Sequence, residues 1–400
     1  MKKKSWSLLL SFLLPFVLYA QESRLSTLLR KYPLKEIHKQ EFSKAELSAS
    51  DYKTLVPVLI DIWKDEVHAR LSENAEKQFI RHGNLTMAFA GDEFGEMPED
   101  GYSLYISMHG GGSAPHVLND QQWQNQISLY TPEEGVYIAP RAPWDDWDMW
   151  FKPGMDEFFE DLIQWMVASY DVNPNKVYLM GYSAGGDGVW RMAPRMADRW
   201  AAASMMAGHP GEAQQVNLLN VPFMIWMGEN DAAYNRNKLA VEKGAVMDSL
   251  EATEPLSYVH ETHVVKGKGH WMDRVDTLAV GWMANFEREP LPAHIVWRQE
   301  NVVRPAMYWL EVDQATAKPG MRVDAVLNGN EIEIPLCDYT KIRIHLNDEM
   351  LDLNRPVKVT SKGKVLFQGK LKRTLGNMAN SLAARGDVHW IFPCYIDITL

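Results

Sequence analysis

Residues 176–188 read KVYLMGYSAGGDG and contain the segment that decides the fold. The apolar run Val177–Met180 leads directly into Gly181-Tyr182-Ser183-Ala184-Gly185, and a helical pattern begins at Ala184. Glycines on both sides of the serine permit a turn too sharp for larger residues. The stretch therefore predicts a strand, a tight turn and a helix, with the Ser183 hydroxyl raised above the sheet edge.

The G-x-S-x-G pattern is weak evidence alone, because it arises by chance roughly once in every ten chains of this length. A serine hydroxyl is also a poor nucleophile unless a base activates it and a carboxylate orients that base. After Ser183, Pro222–Met227 is a candidate strand that ends next to Asp231. We predict Asp231 as the orienting acid, with Glu229 as the alternative.

A histidine follows the next candidate strand, Tyr258–Val265, in the loop Gly267-Lys268-Gly269-His270. We predict His270 as the base, because it stands at a strand end where the loops of a parallel sheet converge. His260 and His263 fall inside the strand, which favours packing or surface roles. The order serine, acid, histidine is the order that strand–turn–helix nucleophiles of this kind require.

Negative charge that develops on a substrate oxygen needs preorganised N–H donors. Ala184 would supply one at the helix start. The glycines of His109-Gly110-Gly111-Gly112, directly after the candidate strand Leu104–His109, would supply another. We predict Gly111, Gly112 and Ala184 as the oxyanion hole, and no phosphate-binding lysine follows these glycines.

The remaining pattern alternates apolar runs with helical stretches, which predicts an α/β fold with a largely parallel sheet. The other candidate strands are Leu85–Ala90, Val136–Ala139 and Ala201–Met206. The candidate helices are Asp156–Ser169, Ala184–Met196, Lys238–Leu250 and Val275–Phe286.

Four segments follow from these patterns: a signal peptide at 1–20, an N-terminal helical segment at 21–80, a catalytic domain at 81–290 and a β-rich domain at 291–400. The helical segment either packs on the catalytic domain or covers the site as a lid. In the last segment, Asn328-Gly329 and Lys362-Gly363 each separate two strand-like runs. Both dipeptides predict hairpins and hence a small β-sandwich-like domain.

The N-terminus has the features of a secretory signal: Lys2 to Lys4, then the apolar stretch Leu8–Leu18, then Ala20 before Gln21. The apolar stretch is shorter than the ~20 residues that span a bilayer, which favours a cleaved signal over an anchor. The sequence therefore predicts export to the periplasm or the medium, without stable membrane insertion.

Composition limits the other classes of function. The chain of 400 residues has a formal charge of −11, which gives no electrostatic attraction to nucleic acid. Its two cysteines, Cys337 and Cys394, could pair in an oxidising compartment or remain free. The Cys/His spacing of a zinc site is absent, and the chemistry predicted for Ser183 requires neither a metal nor a cofactor.

Several residues are candidates for substrate contact. The loop after Val136–Ala139 contains Trp144 and Trp147, which either wall a pocket or pack the loop down. Its aspartates, including Asp145 and Asp146, resemble a calcium loop only faintly. The other candidates adjoin the predicted catalytic loops: His109, His116, Tyr182 and His209.

Together, the His109–Gly112 run, the Gly181–Gly186 run, Asp231 and Gly269-His270 resemble the secreted α/β-hydrolase esterases. The resemblance covers about residues 80–290 and is closest to the polyhydroxybutyrate-depolymerase-like and feruloyl-esterase-like group. Gly185-Gly186 is also similar to the prolyl oligopeptidase-like hydrolases.

The resemblance implies a serine esterase that acts on a small-molecule or polymeric ester. A serine peptidase with the same residues and a non-catalytic binding protein on this scaffold stay open as alternatives. Neither the N-terminal helical segment nor the β-rich segment resembles a known module.

Overall fold

The computed structural model describes residues 26–400, so the predicted signal peptide lies outside the described residues. The strands are β1 (Glu46–Leu47), β2 (Phe79–His82), β3 (Leu85–Phe94), β4 (Tyr102–Met108), β5 (Gly135–Pro140), β6 (Val172–Tyr182), β7 (Ala202–Met206), β8 (Phe223–Gly228), β9 (His260–Val265), β10 (His294–Arg298), β11 (Ala306–Met307), β12 (Leu310–Glu311), β13 (Arg322–Asn328), β14 (Glu331–Cys337), β15 (Lys341–Leu346), β16 (Val357–Ser361), β17 (Lys364–Gly369), β18 (Arg373–Thr374) and β19 (Cys394–Thr399). The helices are α1 (Leu34–Ile37), α2 (Ala49–Ala75), α3 (His116–Ile127), α4 (Met155–Ser169), α5 (Ala184–Arg195), α6 (Arg236–Thr253), α7 (Leu278–Met283) and α8 (Leu375–Arg385).

An eight-stranded sheet with the order β2-β3-β5-β4-β6-β7-β8-β9 forms the centre of the protein. β2 and β3 join it antiparallel, and the pairings from β5 through β9 are parallel. Every residue of β7 and β8 is buried, as expected for strands covered by helices on both faces. The predicted α/β architecture is therefore confirmed, and the carboxyl ends of the parallel strands meet at one edge.

Some elements differ from the sequence prediction. Helix α3 was not predicted, because its residues HVLNDQQWQNQI contain few apolar side chains and no clear amphipathic period. The predicted helix Val275–Phe286 is shorter, with a 3-10 turn at Val275–Thr277 followed by α7. Strand β2 and helix α8 were also missed.

The long helix α2 begins with a capping box between Ser48 and Asp51. Its apolar face, which includes Leu59 and Trp63, is buried against α4, α8 and β2. Both cavities beside Ser183 are lined by residues between 110 and 274. Helix α2 therefore packs on the body of the protein and does not cover the site as a lid. No helix within residues 26–400 combines the length and the hydrophobicity needed to cross a membrane.

The C-terminal region forms a sheet with the order β10-β13-β14-β16-β17 and a second sheet with the order β11-β12-β15-β19. Both predicted hairpins are present: β13 pairs with β14 across Gly329-Asn330, and β16 pairs with β17 across Lys362-Gly363. Cys337 and Cys394 lie in different sheets and are both free thiols. The boundaries proposed at residues 81 and 291 stay predictions.

A buried network of charges joins the region of the eight-stranded sheet to the C-terminal region. Arg385 Nη2 lies 2.8 Å from Asp198 Oδ2, and Arg288 Nη1 lies 2.8 Å from Asp387 Oδ2. The Trp390 ring lies against both guanidiniums, with centroid distances of 4.3 Å to Arg385 and 5.0 Å to Arg288. Burial alone would raise the pKa of Asp387, but the neighbouring guanidiniums hold that pKa well below its usual value.

Candidate active site

Ser183 occupies the turn between β6 and α5 in a strained backbone conformation, with φ 59° and ψ −118°. A positive φ is rare for a residue with a side chain, and such strain persists only where the surrounding structure enforces it. The Ser183 N–H donates to Met206 O at 2.9 Å, which ties the turn to the end of β7. The turn thereby presents the Ser183 hydroxyl at the carboxyl edge of the sheet.

The glycines around Ser183 are required by close backbone contacts. A Cβ atom on Gly185 would lie 2.0 Å from Met108 O, and one on Gly181 would lie 2.5 Å from Gly185 O. A Cβ atom on Gly186 would lie 2.5 Å from Met206 O. Backbone atoms cannot yield as a flexible side chain can, so the motif follows from the packing of α5 against β4 and β7.

Three side chains from loops distant in sequence form one hydrogen-bonded chain. His270 Nε2 lies 2.9 Å from Ser183 Oγ, and His270 Nδ1 lies 2.7 Å from Asp231 Oδ2. Asp231 is only 3% exposed. Its carboxylate accepts the Nδ1 proton, which leaves Nε2 with the lone pair that faces the serine hydroxyl.

The loops that carry the acid and the histidine also brace each other. Asn230 N–H donates to Lys268 O at 2.7 Å, and Glu229 Oε2 accepts the Gly267 N–H at 2.7 Å. Glu229, the alternative acid, is therefore engaged with the histidine loop rather than with His270. Asp231 is the carboxylate that the structure brings to the ring.

Tyr182 fixes the position of the His270 backbone. Its hydroxyl donates to His270 O at 2.6 Å and accepts the Met272 N–H at 3.2 Å. The Tyr182 and His270 rings are nearly perpendicular, with centroids 6.0 Å apart. Tyr182, predicted as a substrate contact, therefore holds the histidine loop as well as lining a cavity.

Two backbone N–H groups near Ser183 are available for an oxyanion. Within residues 26–400, the N–H groups of Ala184 and Gly111 donate to no acceptor, and both residues line the cavity that contains Ser183. Gly112 also lines this cavity, but its N–H donates to Asn119 Oδ1 at 2.8 Å. The prediction that Gly112 is a donor is therefore corrected, because that N–H is already engaged.

Two cavities flank Ser183 and share Ser183 and Gly111. The smaller one, called the acyl-side cavity, has a volume of about 430 Å³, and the larger one, called the histidine-side cavity, has a volume of about 690 Å³. The first is lined by Gly111, Gly112, Ser113, Trp147, Phe151, Ser183, Ala184, Asp187, Arg191, His209, Gly211, Tyr234 and Arg236. The second is lined by Gly110, Gly111, Leu118, Gln122, Gln124, Asn125, Gln126, Ser128, Leu129, Tyr182, Ser183, His270, Trp271 and Arg274.

The decisive observation is the order of the three loops that meet at the sheet edge: a serine turn after β6, an acid after β8 and a histidine after β9, on a mostly parallel sheet. The chain has the α/β-hydrolase fold. A large mostly parallel sheet flanked by helices, with additional C-terminal sheets, is the architecture that the sequence predicted.

No protein-family profile and no curated protein sequence matches this chain. Among solved structures, it is similar to a thermostable esterase, with 15% identity, 53% of this chain and 64% of that chain covered, and a TM-score of 0.40. It is similar to a feruloyl esterase module from Clostridium thermocellum, with 14% identity, coverages of 50% and 83%, and a TM-score of 0.33. An S-formylglutathione hydrolase from Staphylococcus aureus has 13% identity, coverages of 52% and 96%, and a TM-score of 0.33.

Some of the residues predicted to contact substrate line a cavity beside Ser183, and others lie outside both cavities. Trp147 is 61% exposed and lines the acyl-side cavity together with His209. Trp144 instead packs edge-on against Phe158 in the core, outside both cavities. His116 also lies outside them, with Nδ1 2.8 Å from Asp145 Oδ2.

His109 is not a substrate contact, because it is fully buried. Its Nδ1 lies 2.6 Å from Gly110 O, and its Nε2 accepts the Ala142 N–H at 3.2 Å. Burial lowers the pKa of His109 to about 4, so the ring is neutral and supports the glycine loop. The prediction for His109 and that for Trp144 are therefore corrected, since His109 is buried and Trp144 is partly buried outside both cavities.

The sequence interpretation missed three charged residues of the acyl-side cavity: Asp187, Arg191 and Arg236. Asp187 and Arg191 follow Ser183 by four and eight residues on α5, so one helical face carries both toward the serine. Arg236 starts α6, directly after the loop that carries Asp231. Helical spacing from Ser183 is the signal that could have found the first two.

Proposed function

We propose that the protein is a serine hydrolase that cleaves carboxylic esters through an acyl-enzyme. The observation that carries the proposal is the hydrogen-bonded chain Ser183–His270–Asp231 at the sheet edge, with distances of 2.9 Å and 2.7 Å. A hydroxyl, an imidazole and a buried carboxylate in this order form the arrangement that activates serine for acyl transfer.

The reaction follows from this arrangement. Ser183 Oγ attacks the ester carbonyl carbon while His270 Nε2 takes the hydroxyl proton, and the oxyanion is stabilised by the N–H groups of Gly111 and Ala184. The tetrahedral intermediate collapses as His270 returns the proton to the leaving alcohol, which leaves Ser183 acylated. Water then attacks the acyl-enzyme with His270 as base, releases the acid and restores the hydroxyl. Asp231 stabilises the imidazolium in both halves.

Esters are the favoured substrate class because the solved structures that resemble this fold include several esterases. The chemistry of the triad alone would also serve a peptidase. The distinction is therefore made by measurement, with 4-nitrophenyl acetate compared against peptide 4-nitroanilides.

The test combines that comparison with the Ser183→Ala variant and a fluorophosphonate probe. We expect ester hydrolysis by the wild type, labelling of Ser183, and a fall in turnover of at least ~10³-fold in Ser183→Ala. A variant that retains most of the activity would show that Ser183 is not the nucleophile. A wild-type chain that is folded but neither hydrolyses esters nor reacts with the probe would favour a binding protein on this scaffold.

We also propose that residues 1–20 direct export and are removed after Ala20. The basis is the charge and hydropathy pattern of that segment. Sequencing the N-terminus of the protein from the exported fraction tests this proposal, and a mature chain that begins at Met1 would contradict it.

A further inference from the structure

The two cavities beside Ser183 have different relations to the catalytic groups. His270 lines the larger cavity, whereas Ala184 lines the smaller one. In the proposed reaction, His270 Nε2 must hand its proton to the leaving oxygen, so the alcohol departs on the histidine side. The acid part of the ester therefore enters the smaller cavity, which is why we name it the acyl-side cavity.

Two arginines line this acyl-side cavity without a full complement of partners. Within the described residues, Arg191 makes no hydrogen bond and no ion pair within 4.0 Å, and its guanidinium lies 5.3 Å from the Phe151 ring centroid. Arg236 Nε is buried without an acceptor. Its Nη1 reaches Asp231 Oδ1 only at 4.0 Å, the limit of an ion pair. Removing guanidinium groups from water without a partner costs free energy, which an anionic ligand would offset.

The other titratable groups of the cavity do not neutralise these arginines. Asp187 is the carboxylate of the lining, and its Oδ1 accepts the His209 N–H at 2.6 Å. Burial raises the pKa of Asp187 to about 6, so its negative charge is lost as the pH falls below about 6. Burial also lowers the pKa of His209, which keeps that ring neutral. Asp187, Glu212 and Glu300 attract Arg191 without forming an ion pair within 4.0 Å in the described residues, and Asp231 lies 4.0 Å from Arg236. Both guanidiniums therefore keep donors available for an anionic ligand.

We propose that the hydrolase acts on esters whose acid part carries a second, anionic carboxylate, which Arg191 and Arg236 bind in the acyl-side cavity. This inference rests on the proposed esterase function and deepens it. Guanidinium groups bind carboxylates through paired, charge-assisted hydrogen bonds, and the neighbouring aromatic rings of Phe151 and Tyr234 leave room for the methylene chain between the two ends.

The experiment compares matched substrates that differ only in the terminal group. The mono-4-nitrophenyl ester of adipic acid carries a terminal carboxylate, whereas 4-nitrophenyl hexanoate has the same number of carbons and no charge. Rates measured with Ser183→Ala are subtracted, which removes spontaneous and intramolecular hydrolysis. We expect kcat/KM for the adipate ester to exceed that for the hexanoate at least ~10-fold, with a preference that declines as salt is added.

Arg191 is the most informative residue to substitute, because its removal breaks no ion pair within the protein. We expect Arg191→Gln to lower the adipate-to-hexanoate ratio of kcat/KM by ~10- to 100-fold, and Arg191→Lys to restore part of it. Lys238→Gln is the matched control, since it removes one positive charge from the exposed face of α6 outside the cavity. That control should leave the ratio within about twofold.

The outcomes separate this inference from the proposed function. Hexanoate hydrolysis with no preference for adipate, or a preference that Arg191→Gln leaves intact, overturns the anionic acyl site while the esterase remains. Absence of hydrolysis of both esters, together with no fluorophosphonate labelling of Ser183, overturns both. If Arg191→Gln does not fold, the wild-type ratio and its salt dependence still decide the question.

Discussion

Tyr182→Phe is the substitution that best tests how the histidine loop is held. It removes one hydroxyl and no ring, yet two hydrogen bonds depend on that hydroxyl: the 2.6 Å bond to His270 O and the 3.2 Å bond from Met272 N–H. The lost bond to His270 O costs about 1 kcal/mol, and leaving the Met272 N–H without an acceptor costs about 1–3 kcal/mol. The loop therefore loses about 2–4 kcal/mol of restraint.

That loss falls on the segment whose position sets the 2.9 Å approach of His270 to Ser183. Because about 1.4 kcal/mol corresponds to a tenfold change in rate, we expect kcat to fall about 30- to 1,000-fold. KM should change little, since the phenol hydroxyl points to the loop backbone rather than into the cavity. Steady-state kinetics with 4-nitrophenyl esters and the rate of fluorophosphonate labelling measure the effect.

Tyr308→Phe is the matched control. Its buried hydroxyl donates to Ala197 O at 2.9 Å, far along the chain from the catalytic loops. Both variants should lower the melting temperature, but only Tyr182→Phe should lower kcat. Full activity in Tyr182→Phe, or equal losses of kcat in both variants, would refute the positioning role.

Three further predictions concern stability and packing. Asp187→Asn should stabilise the protein by about 2 kcal/mol above about pH 6 and should have no effect on stability below about pH 4. The reason is that the pKa of Asp187 is raised from 3.8 to about 6 in the folded state, so ionisation of Asp187 destabilises the folded wild type as the pH rises between these values. Urea unfolding of both proteins at several pH values measures this difference, and an offset that is constant with pH would contradict it. Gly185→Ala should give insoluble or inactive protein, because the new Cβ would lie 2.0 Å from Met108 O. A soluble variant with wild-type kcat would show that the backbone of the turn around Ser183 can shift to accommodate a methyl group. Asp387→Asn should lower the free energy of unfolding by about 3 kcal/mol, since it leaves the buried guanidinium of Arg288 without its carboxylate, and a change below 1 kcal/mol in thermal or urea unfolding would argue against that ion pair.

The parts of the fold that the sequence predicted are those encoded within one contiguous stretch. The strand, the glycines and the helix around Ser183 are adjacent in the chain, so one local pattern carries the whole turn. Asp231 and His270 could be chosen because each follows an apolar strand. Helix α3 was missed because it has no apolar face, and its buried residues are the polar Asn119 and Gln126. It is held to the sheet by hydrogen bonds such as the 2.7 Å bond from Gln126 Nε2 to Ser107 Oγ.

The residues that line the two cavities could not be predicted from the sequence, because they depend on how the loops fold. Trp144 and Trp147 are three residues apart in one loop, yet one packs against the core and the other lines the acyl-side cavity. Arg191 looks like an ordinary helical arginine in the sequence. Its importance comes from the absence of an ion-pair partner within the described residues, which only the three-dimensional arrangement reveals.

The charges buried around Trp390 determine whether this protein can be divided into separately folding parts. Arg385 and Asp387 belong to the C-terminal region, whereas their partners Asp198 and Arg288 belong to the part that carries the catalytic loops. Cutting the chain near residue 290 would leave Asp198 and Arg288 without their ion-pair partners on a newly exposed surface. We therefore expect the two parts to unfold in a single cooperative transition, and the catalytic part to be unsuitable for transplantation as an independent module.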